Sequence, residues 1–477
     1  MKKQLILIVF LISQSVWAQP LFNQFLTRVN SLGNPADKAT VVDSFINYHK
    51  NIRIPIAEGN YGIFIYKGSG SVVAVAGDQN SWSPQSLTNL NGTSLWYLTR
   101  EFENNARLDY KYVINGSNWI LDPLNPNTCP GGFGANSEFS MPGYIQPTDI
   151  IKTPNIPYGS LSAITIKSSL LAATFNLQIY LPAGYTPGVK YPVAYFNDGQ
   201  EYVGLANAAN ILDNGIHEKR IQPVIGVFIR PNNRNDEYAY TKRFTYANFV
   251  VKELVPFIDS LYSTVKSPEG RAIIGTSFGA NSAAIISFNN DSVFGKAGLH
   301  SPAFWPNNEE VASMIKTSPK KNLVLYSVWG TYEGVGYMYA VADSLTKKGY
   351  AFDYKIFPEG HSWGLWRANT GKTLSYLFPY PTSVENTTLL PQRFTIGSYP
   401  NPFNPSTTLS VELLEKSEIS LSVYSISGEK ILTVYNGELT AGNHNFDISF
   451  NHLSTGIYFA VAQVNGTILS HKMLFIK

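Results

Sequence analysis

A serine lies between two glycines in the segment Gly275-Thr276-Ser277-Phe278-Gly279, directly after the apolar run 272–274. An alanine-rich stretch that favours a helix follows it. A serine on a sharp strand-to-helix turn is typical of a nucleophile elbow, which exposes the hydroxyl for attack on a carbonyl carbon. The sequence therefore predicts that Ser277 is a nucleophile and that the N–H of Phe278 is one oxyanion-hole donor.

A general base for this serine is predicted at His361, in the glycine-containing segment 358–363 after the last predicted strand. In α/β-hydrolases the acid and then the histidine follow the serine along the chain, and a loop at a strand end suits a mobile base. His300 follows Ser277 too closely to leave room for an acid, so we interpret it as a packing or pocket residue. His217 precedes the serine.

The third group, a carboxylate that orients the histidine, is predicted to be Glu333. It comes just after the apolar run 323–328, and the end of a strand is where this acid belongs. Asp343 is the alternative, although it falls inside the following helix, and a mechanism without an acid is the third option. A glutamate has one more methylene than the usual aspartate, so its approach to the histidine must differ.

The segment Asn197-Asp198-Gly199-Gln200 closes the apolar run 191–196. The N–H of Gly199 or Gln200 is predicted as the second oxyanion donor, with an ordinary strand-to-helix turn as an equal alternative. Three further side chains are candidates for substrate binding, although a solvated or packing role fits each of them as well. They are Arg230, Arg234 and Trp305.

These residues lie in a region where short apolar runs alternate with helical patterns, which favours an α/β fold with a mostly parallel sheet. The predicted strands are 177–181, 191–196, 224–229, 272–274, 323–328 and 352–356. The predicted helices include 249–262, 283–288 and 340–348. The region is predicted to span residues 149–381 as a three-layer α/β/α domain.

The flanking regions have other periodicities. Residues 19–55 show helical spacing, residues 56–148 alternate with period two as in a small Ig-like β sandwich, and residues 396–477 do so again after the polar linker 382–395. Val464-Asn465-Gly466-Thr467 predicts a tight hairpin. The chain is thus predicted to be a multidomain protein in which two all-β sandwiches flank the α/β domain.

The composition excludes several classes of protein. Charged residues make up 14 % of the chain and hydrophobic residues 44 %, which excludes a disordered chain. A net charge of +3 without long basic runs argues against a nucleic-acid partner. The single cysteine, Cys129, cannot form an intramolecular disulfide, and neither a metal site nor an organic cofactor is indicated.

The N-terminus predicts export. Lys2 and Lys3 precede an apolar run at 5–12, and small residues at Val16 and Ala18 suit cleavage before Gln19. Residues 1–18 are therefore predicted to be a signal peptide rather than a membrane anchor, since the run is far shorter than the ~20 residues that a spanning helix needs. No transmembrane segment is predicted in the mature chain.

The α/β region resembles the esterase D-like superfamily, which includes enterochelin esterases and carbohydrate esterase family 1. The matching stretches are 197–202, 224–230, 234–238, 253–256, the serine elbow, 299–305 and 360–363. The resemblance implies an acyl-enzyme serine hydrolase that uses Ser277 and His361. Some members place an aspartate at the position of Glu333, whereas others need only a serine–histidine pair.

Residues 56–148 resemble a glycogen-binding-type E-set module, through Gly77–Trp82, Tyr110–Val113 and Asn115–Pro123. In sugar-binding members two tryptophans stack on the glycan, which implies Trp82 and Trp119 here. The favoured alternative is that the module packs against the esterase region or shapes its acyl pocket, because large aromatic residues are more often packing groups.

The last 80 or so residues resemble the C-terminal sorting domain of the type IX secretion system, which opens here with Tyr399-Pro400-Asn401-Pro402. The resemblance implies the type IX machinery as a partner and a secreted or surface location.

Taken together, these features predict a secreted serine esterase that acts on acetyl or feruloyl esters of plant polysaccharide such as xylan. The alternatives are an enterochelin-type siderophore trilactone esterase and a catalytically inactive surface glycan-binding protein.

Overall fold

The computed structural model describes residues 21–334, 336–381, 394–464 and 467–477. The predicted signal peptide, most of the predicted linker, and Asn465 and Gly466 lie outside the described residues. The described residues form two compact units, with the boundary between Tyr380 and Pro381.

The first unit begins with two helices, α1 (Leu21–Ser31) and α2 (Pro35–Lys50). The Asn34 side chain caps α2 by accepting a hydrogen bond from the N–H of Ala36. Phe22 and Ile46 lie on the inner faces of these helices and are buried in one cluster with strand residues of the following β region. The helices are thereby anchored on the β region.

The β region, called the β module below, forms two sheets. Its strands are β1 (Ile56–Glu58), β2 (Tyr61–Lys67), β3 (Val73–Gly77), β4 (Gln85–Ser86), β5 (Thr88–Asn89), β6 (Leu95–Glu101), β7 (Arg107–Ile114), β8 (Asn118–Ile120), β9 (Thr128–Cys129) and β10 (Asn136–Ser140). One sheet has the order β1-β2-β6-β5 and the other β4-β3-β7-β10-β9, with β8 paired to β7. Phe64, Leu108, Tyr110 and Phe139 are buried together in its core. An Ig-like form of this module stays a prediction.

The central domain is built on one sheet of the order β11-β12-β14-β13-β15-β16-β17-β18 among the described residues. Its strands are β11 (Ser160–Ser168), β12 (Ala173–Leu181), β13 (Val193–Phe196), β14 (Ile225–Ile229), β15 (Arg271–Thr276), β16 (Lys296–His300), β17 (Val324–Gly330) and β18 (Ala351–Phe357). The six strands numbered β13 to β18 are parallel to their neighbours within that group. Strand β12 is antiparallel to both of its neighbours, β11 and β14. The predicted α/β class with a mostly parallel sheet is confirmed.

Helices pack against the strands of this sheet, and a three-layer arrangement stays a prediction. The helices are α3 (Gly199–Gly204), α4 (Ala208–His217), α5 (Arg234–Tyr238), α6 (Arg243–Phe249), α7 (Val255–Leu261), α8 (Phe278–Asn289), α9 (Pro306–Thr317), α10 (Gly336–Lys347) and α11 (Trp363–Leu377). Successive residues of β13 belong to different hydrophobic clusters. Tyr195 is in the cluster that contains Val250, which lies between α6 and α7. Phe196 is in the cluster that contains Leu365 of α11.

The sequence missed two strands and merged two helices. Strand β11 lies at the sheet edge, is largely exposed and has no apolar run. Strand β16 is short, contains a glycine and lies between β15 and β17, so it is buried by its neighbours without a hydrophobic run of its own. The predicted helix 249–262 is instead the end of α6, a π-helical turn at Val250–Leu254, and α7.

The C-terminal unit is all β in its described residues. Its strands are β19 (Phe394–Tyr399), β20 (Ser406–Leu413), β21 (Ser417–Ser425), β22 (Lys430–Leu439), β23 (Gly442–Ser449), β24 (Gly456–Val464) and β25 (Thr467–Phe475). They form the sheets β19-β20-β23 and β22-β21-β24-β25. Strands β24 and β25 pair from Val464 and Thr467 outward, which agrees with the predicted hairpin. No helix in the described part of the chain combines the length and the apolar character needed to cross a membrane.

Candidate active site

Ser277 lies on the turn between strand β15 and helix α8, in a conformation that non-glycine residues rarely adopt. Its φ is 54° and its ψ is −121°. The backbone around it is held on both sides, because its N–H donates to the carbonyl of His300 and its carbonyl accepts from the N–H of Ala303. Strain of this kind persists only where the surrounding structure enforces it, and it occurs most often at functional sites.

The two glycines of the elbow are required by close packing. A methyl group on Gly275 would overlap the backbone of Gly279, and one on Gly279 would lie 2.8 Å from Oδ2 of Asp198. The turn between β15 and α8 therefore closes only with glycine at these positions, which leaves the serine at its tip.

His361 and Glu333 lie side by side at the same edge of the sheet. Nδ1 of His361 is 2.9 Å from Oε2 of Glu333. The Glu333 side chain is fully buried, while 42 % of the His361 side chain is exposed. The imidazole also packs edge-on against the Trp366 ring, at 5.0 Å between ring centres. The histidine is thus oriented from two directions and keeps an exposed side toward the cavity.

The other oxygen of Glu333 is held by two donors. Oε1 accepts hydrogen bonds from the N–H of Gly330 at 2.6 Å and from the hydroxyl of Ser301 at 2.7 Å. The Ser301 oxygen in turn accepts from Nε1 of Trp366 at 2.8 Å. These hydrogen bonds fix the position of the Glu333 carboxylate beside His361.

The other candidates for acid and base lie elsewhere. Asp343 is on α10, where its exposed carboxylate accepts from Lys347 one helical turn away. His300 is buried, with Nδ1 3.1 Å from the Tyr202 hydroxyl and Nε2 2.7 Å from the Thr373 hydroxyl. Burial lowers the pKa of His300 to about 3. His300 therefore stays neutral inside the core, in agreement with the interpretation as a packing residue.

The turn 197–199 lies against the start of helix α8. The Asn197 side-chain amide donates to the carbonyl of Gly279 at 2.8 Å. A methyl group on Gly199 would overlap the backbone of Phe228 and Ile229, so this helix start also needs glycine. The first N–H groups of a helix have no partner within the helix. The N–H groups of Gly199 and Gln200 belong to the first turn of α3, and the N–H group of Phe278 belongs to the first turn of α8.

Arg234 and Asp198 form a two-pronged ion pair beside the elbow. Nε and Nη2 of Arg234 donate to the two carboxylate oxygens of Asp198, each at 2.7 Å. Burial alone lowers the pKa of Arg234, but the paired Asp198 raises it above the ordinary value. Arg234 thus stabilises the turn 197–199 through its ion pair with Asp198, and it also lines a cavity.

A cavity of about 600 Å³ opens between the central domain and the β module. The central domain contributes Glu201, Arg234, Thr276, Ser277, His361, Ser362, Trp363 and Trp366. The β module contributes Trp82, Asp109, Lys111, Trp119, Gly131, Gly132, Phe133, Gly134 and Asn136. Ser277 and His361 therefore face one cavity, and the β module forms its opposite wall.

Three aromatic side chains, Trp82, Trp119 and Phe133, line the module's wall of the cavity. Trp119 is 44 % exposed, and Phe133 is fully exposed at the tip of a glycine-rich loop. Trp82 is tied down, since its Nε1 donates to Oδ1 of Asp78 at 3.1 Å. The structure thus brings Trp82 and Trp119 to the same cavity as the serine, 158 or more residues away in the sequence.

One carboxylate in the cavity has an unusual environment. Burial, together with the nearby charge of Asp198, raises the pKa of Glu201 to about 7, although Arg234 counteracts this shift. Near neutral pH this side chain can be a hydrogen-bond donor as well as an acceptor.

Six sequence candidates are not part of the lining of this cavity: Glu333, Phe278, Gly199, Gln200, Arg230 and Trp305. Arg230 and Gln200 line a separate groove that runs along β11, β12 and α3. Trp305 is 54 % exposed and packs on the Phe278 ring, at 5.2 Å between ring centres. Arg230 and Trp305 are therefore not brought together with Ser277 and His361.

Sequence reasoning missed several residues of the site. Ser301, which donates to Glu333, and Trp366, which donates to Ser301, were not singled out. Neither were Glu201, Lys111 and Phe133. Ser301 could have been found from its position at the carboxyl end of β16, had that strand been predicted. The others carry no local signal, because their place depends on packing between distant segments.

Residues 168–372 match the family described as "Putative esterase", and residues 398–477 match the "Secretion system C-terminal sorting domain". The chain contains an esterase-family domain. The esterase match covers the elbow, Glu333 and His361, and the C-terminal match covers most of the second unit.

Relatives of this esterase domain include an uncharacterized Bacillus subtilis protein, YjcH, which is 28 % identical over 218 residues, 42 % of this chain and 90 % of that protein. The iron(III) enterobactin esterase of Escherichia coli K12 is 25 % identical over 256 residues, 48 % of this chain and 62 % of that protein.

Among solved structures, ferric enterobactin esterase from Salmonella typhimurium aligns with a TM-score of 0.59 and 19 % identity, over 66 % of this chain and 93 % of its own. This is a larger share of the chain than the esterase domain alone. A CE1 ferulic acid esterase from Anaeromyces mucronatus aligns with a TM-score of 0.39 and 18 % identity, over 48 % of this chain and 97 % of its own.

Proposed function

We propose that this protein is a secreted serine esterase that hydrolyses carboxylic esters through an acyl-enzyme. One observation carries the proposal: Ser277, on a strained elbow, faces the same cavity as His361, whose Nδ1 is held by the buried Glu333. A nucleophile, a base and a group that orients the base are the three parts of such a mechanism. The esterase-family match supports the reaction class.

In the proposed mechanism the Ser277 hydroxyl attacks the ester carbonyl while Nε2 of His361 accepts its proton. The alkoxide of the tetrahedral intermediate is stabilised by the N–H of Phe278 and by that of Gly199 or Gln200. His361 then protonates the leaving alcohol as the intermediate collapses to the acyl-enzyme. A water molecule, deprotonated by His361, releases the acid and restores Ser277.

The substrate class that we favour is an acyl ester of plant polysaccharide, with feruloyl ahead of acetyl. The aromatic wall of Trp82, Trp119 and Phe133 offers flat apolar faces to a planar acyl group or to a sugar ring. An acetyl group would leave most of the cavity of about 600 Å³ unfilled. The sorting domain supports an extracellular or surface location, where such polymers are found.

A siderophore trilactone esterase is the second candidate, because the enterobactin esterase structure shares its fold with two thirds of this chain. The charge of the cavity argues against it. Arg234 and Asp109 line the cavity, but each is paired with an opposite charge, Asp198 and Arg107 respectively. Lys111 and Glu201 also line it, with opposite charges, so the lining has no large excess of positive charge. An iron(III) tris-catecholate is a trianion, and a site for it needs an excess of positive charge.

The deciding experiment measures ester release by the mature protein and by Ser277→Ala. The panel holds feruloylated arabinoxylan fragments, acetylated xylan, a short nitrophenyl ester and enterobactin with and without iron. Ser277-dependent release from the xylan-derived esters is expected. Release from enterobactin alone would instead establish the second candidate.

Both esterase proposals would be contradicted if the protein proved to be a catalytically inactive glycan-binding protein. It requires no turnover of any ester, together with retention on a polysaccharide gel that Trp119→Ala abolishes and Ser277→Ala leaves unchanged.

A further inference from the structure

The two loops that carry Glu333 and His361 both contact the β module. We call residues 330–334 the acid loop and residues 358–362 the base loop. The loops also contact each other, since the N–H of Tyr332 donates to the carbonyl of Glu359 at 3.2 Å. A methyl group on Gly330 would overlap that same carbonyl. Because the two loops are in direct contact, a contact that fixes the position of one loop also restrains the other.

Arg107, the first residue of β7, reaches the base loop from the module. Its backbone N–H donates to the carbonyl of Pro358 at 3.0 Å, and its Nη1 donates to the hydroxyl of Ser362 at 3.0 Å. The two bonds bracket His361 in the sequence. The Arg107 side chain is fully buried and also pairs with Glu138 at 2.8 Å and Asp109 at 2.6 Å, both in the module.

The β module packs closely against the base loop and the start of α11. A methyl group on Gly360 would overlap the carboxylate of Asp78, and one on Gly364 would overlap the guanidinium of Arg107. Asp78 is itself fixed, because it accepts hydrogen bonds from the N–H of Asp109 at 2.7 Å and from Nε1 of Trp82. The residue just before His361 is thus seated against a rigid buried group.

The acid loop is held by the module through Tyr332, the residue before Glu333. Its hydroxyl donates to Oε2 of Glu103 at 2.6 Å. Its ring packs edge-on against Phe102, at 6.5 Å between ring centres. Glu103 and Phe102 both belong to the β module, so the module contacts the residue next to each member of the Glu333–His361 pair.

We infer that the β module positions the Glu333–His361 pair for catalysis, with Arg107 as the positioning residue of the base loop and Tyr332 as that of the acid loop. The inference rests on the proposed function. Catalytic groups must be held within roughly 0.5 Å of their working geometry, and an error of about 1 Å can lower the rate about 100-fold. A half-exposed histidine on a glycine-containing loop needs such support from outside its own domain.

The same buried contacts could serve only to stabilise the packing of the module on the central domain. The test must therefore distinguish an effect on kcat from an effect on the stability of the protein. Arg107→Lys keeps the positive charge among Asp109, Glu138 and Glu359 but cannot span Ser362 and Glu138 together as a guanidinium does. The control is Arg271→Lys. Arg271 is another buried arginine, paired with Asp259 at 2.7 Å, at the start of β15 and far along the strand from the elbow.

The measurement is kcat and KM on a short nitrophenyl ester, with active Ser277 counted by a fluorescent phosphonate and Tm recorded for each variant. We expect Arg107→Lys to lower kcat per reactive serine about 10- to 100-fold, with KM within about threefold of the wild type. Arg271→Lys should lower Tm and leave kcat unchanged. Equal kcat values for the two variants would overturn the inference.

Tyr332→Phe provides a second test that does not depend on a buried charge. It removes the bond to Glu103 and keeps the ring, so we expect kcat to fall about two- to fivefold with a nearly unchanged Tm. Its control is Tyr158→Phe, which removes an equivalent bond to the Thr153 carbonyl away from the site. If Arg107→Lys fails to fold, the comparison of these two variants decides the question.

Failure of the proposed function has a different signature. A wild-type protein that releases no ester and whose Ser277 does not react with the phosphonate contradicts the esterase proposal itself. A wild-type enzyme that turns over, together with unaffected kcat in Arg107→Lys and Tyr332→Phe, contradicts only the positioning role of the module.

Discussion

Nδ1 of His361 lies 2.9 Å from Oε2 of Glu333, on a carboxylate that is fully buried. A carboxylate accepts hydrogen bonds, so in the neutral ring this contact places the proton on Nδ1 and leaves Nε2 able to accept one. The second oxygen of Glu333 is already held by Gly330 and Ser301. The contact thus fixes the tautomer that can take a proton from Ser277.

Glu333→Gln is expected to lower kcat on a nitrophenyl ester about 10²- to 10⁴-fold while the protein stays folded. The glutamine oxygen will remain with its two donors, Gly330 and Ser301, so its NH₂ group will face His361. An amide N–H donates to Nδ1 and moves the ring proton to Nε2, which can then no longer accept the serine proton.

Glu333→Asp serves as the matched control because it keeps the charge but withdraws it by one methylene. We expect it to retain more activity than Glu333→Gln at equal Tm. Asp343→Asn should have wild-type kinetics, since Asp343 is exposed on α10 and bonded to Lys347. A near-normal kcat for Glu333→Gln would favour a mechanism that uses serine and histidine alone.

Ser277→Gly is expected to abolish ester turnover and to raise Tm above that of Ser277→Ala. Both variants lack the nucleophile and should lose about four or more orders of magnitude in kcat. Only glycine adopts φ 54° and ψ −121° without strain, and such strain costs about 1–3 kcal/mol. Equal melting temperatures for the two variants would show that the turn stores no strain at Ser277.

Trp119→Ala is expected to raise KM for a feruloylated arabinoxylan fragment about fivefold, with little effect on a short nitrophenyl acetate. The exposed ring offers the stacking surface for a large ligand, and such aromatic contacts contribute about 1 kcal/mol. Tyr48→Ala, an exposed aromatic on α2 outside the cavity, is the control. An unchanged KM on the fragment would remove Trp119 from the substrate site.

Glu359→Gln is expected to raise the stability of the protein at pH 8 and to leave it nearly unchanged at pH 5. Burial, with Asp78, Asp109 and Glu138 nearby, raises the pKa of Glu359 to about 8 even though Arg107 is close. The folded state therefore keeps this proton up to about pH 8, whereas the unfolded chain loses it near pH 4.5.

Between those two pH values the folded protein binds more protons than the unfolded chain, so stability falls as pH rises, by up to about 1.4 kcal/mol per pH unit. Glutamine is uncharged in both states and removes this loss. The measurement is the urea midpoint at pH 5 and pH 8. The control Glu218→Gln changes a carboxylate that is 51 % exposed. Parallel pH curves for Glu359→Gln and the wild type would contradict this account.

Much of the candidate site could be predicted because its signals are local. The elbow of Gly275, Ser277 and Gly279 is a short segment whose backbone allows few other solutions, and the apolar runs on either side mark a strand and a helix. His361 and Glu333 could be predicted because each follows a predicted strand, in the chain order serine, acid, histidine. Strands β11 and β16 were missed because they carry no apolar run of their own.

The sequence by itself determined the α/β class, and it predicted the order of the domains and the three residues proposed to carry the chemistry. Only the tertiary structure decided that Trp82 and Trp119 face Ser277, that Arg230 and Trp305 do not line the cavity, and that Arg107 braces the base loop. The physical reason is distance along the chain. Arg107 and Ser362 are 255 residues apart, and a contact of that separation depends on how two cores pack together rather than on any local period.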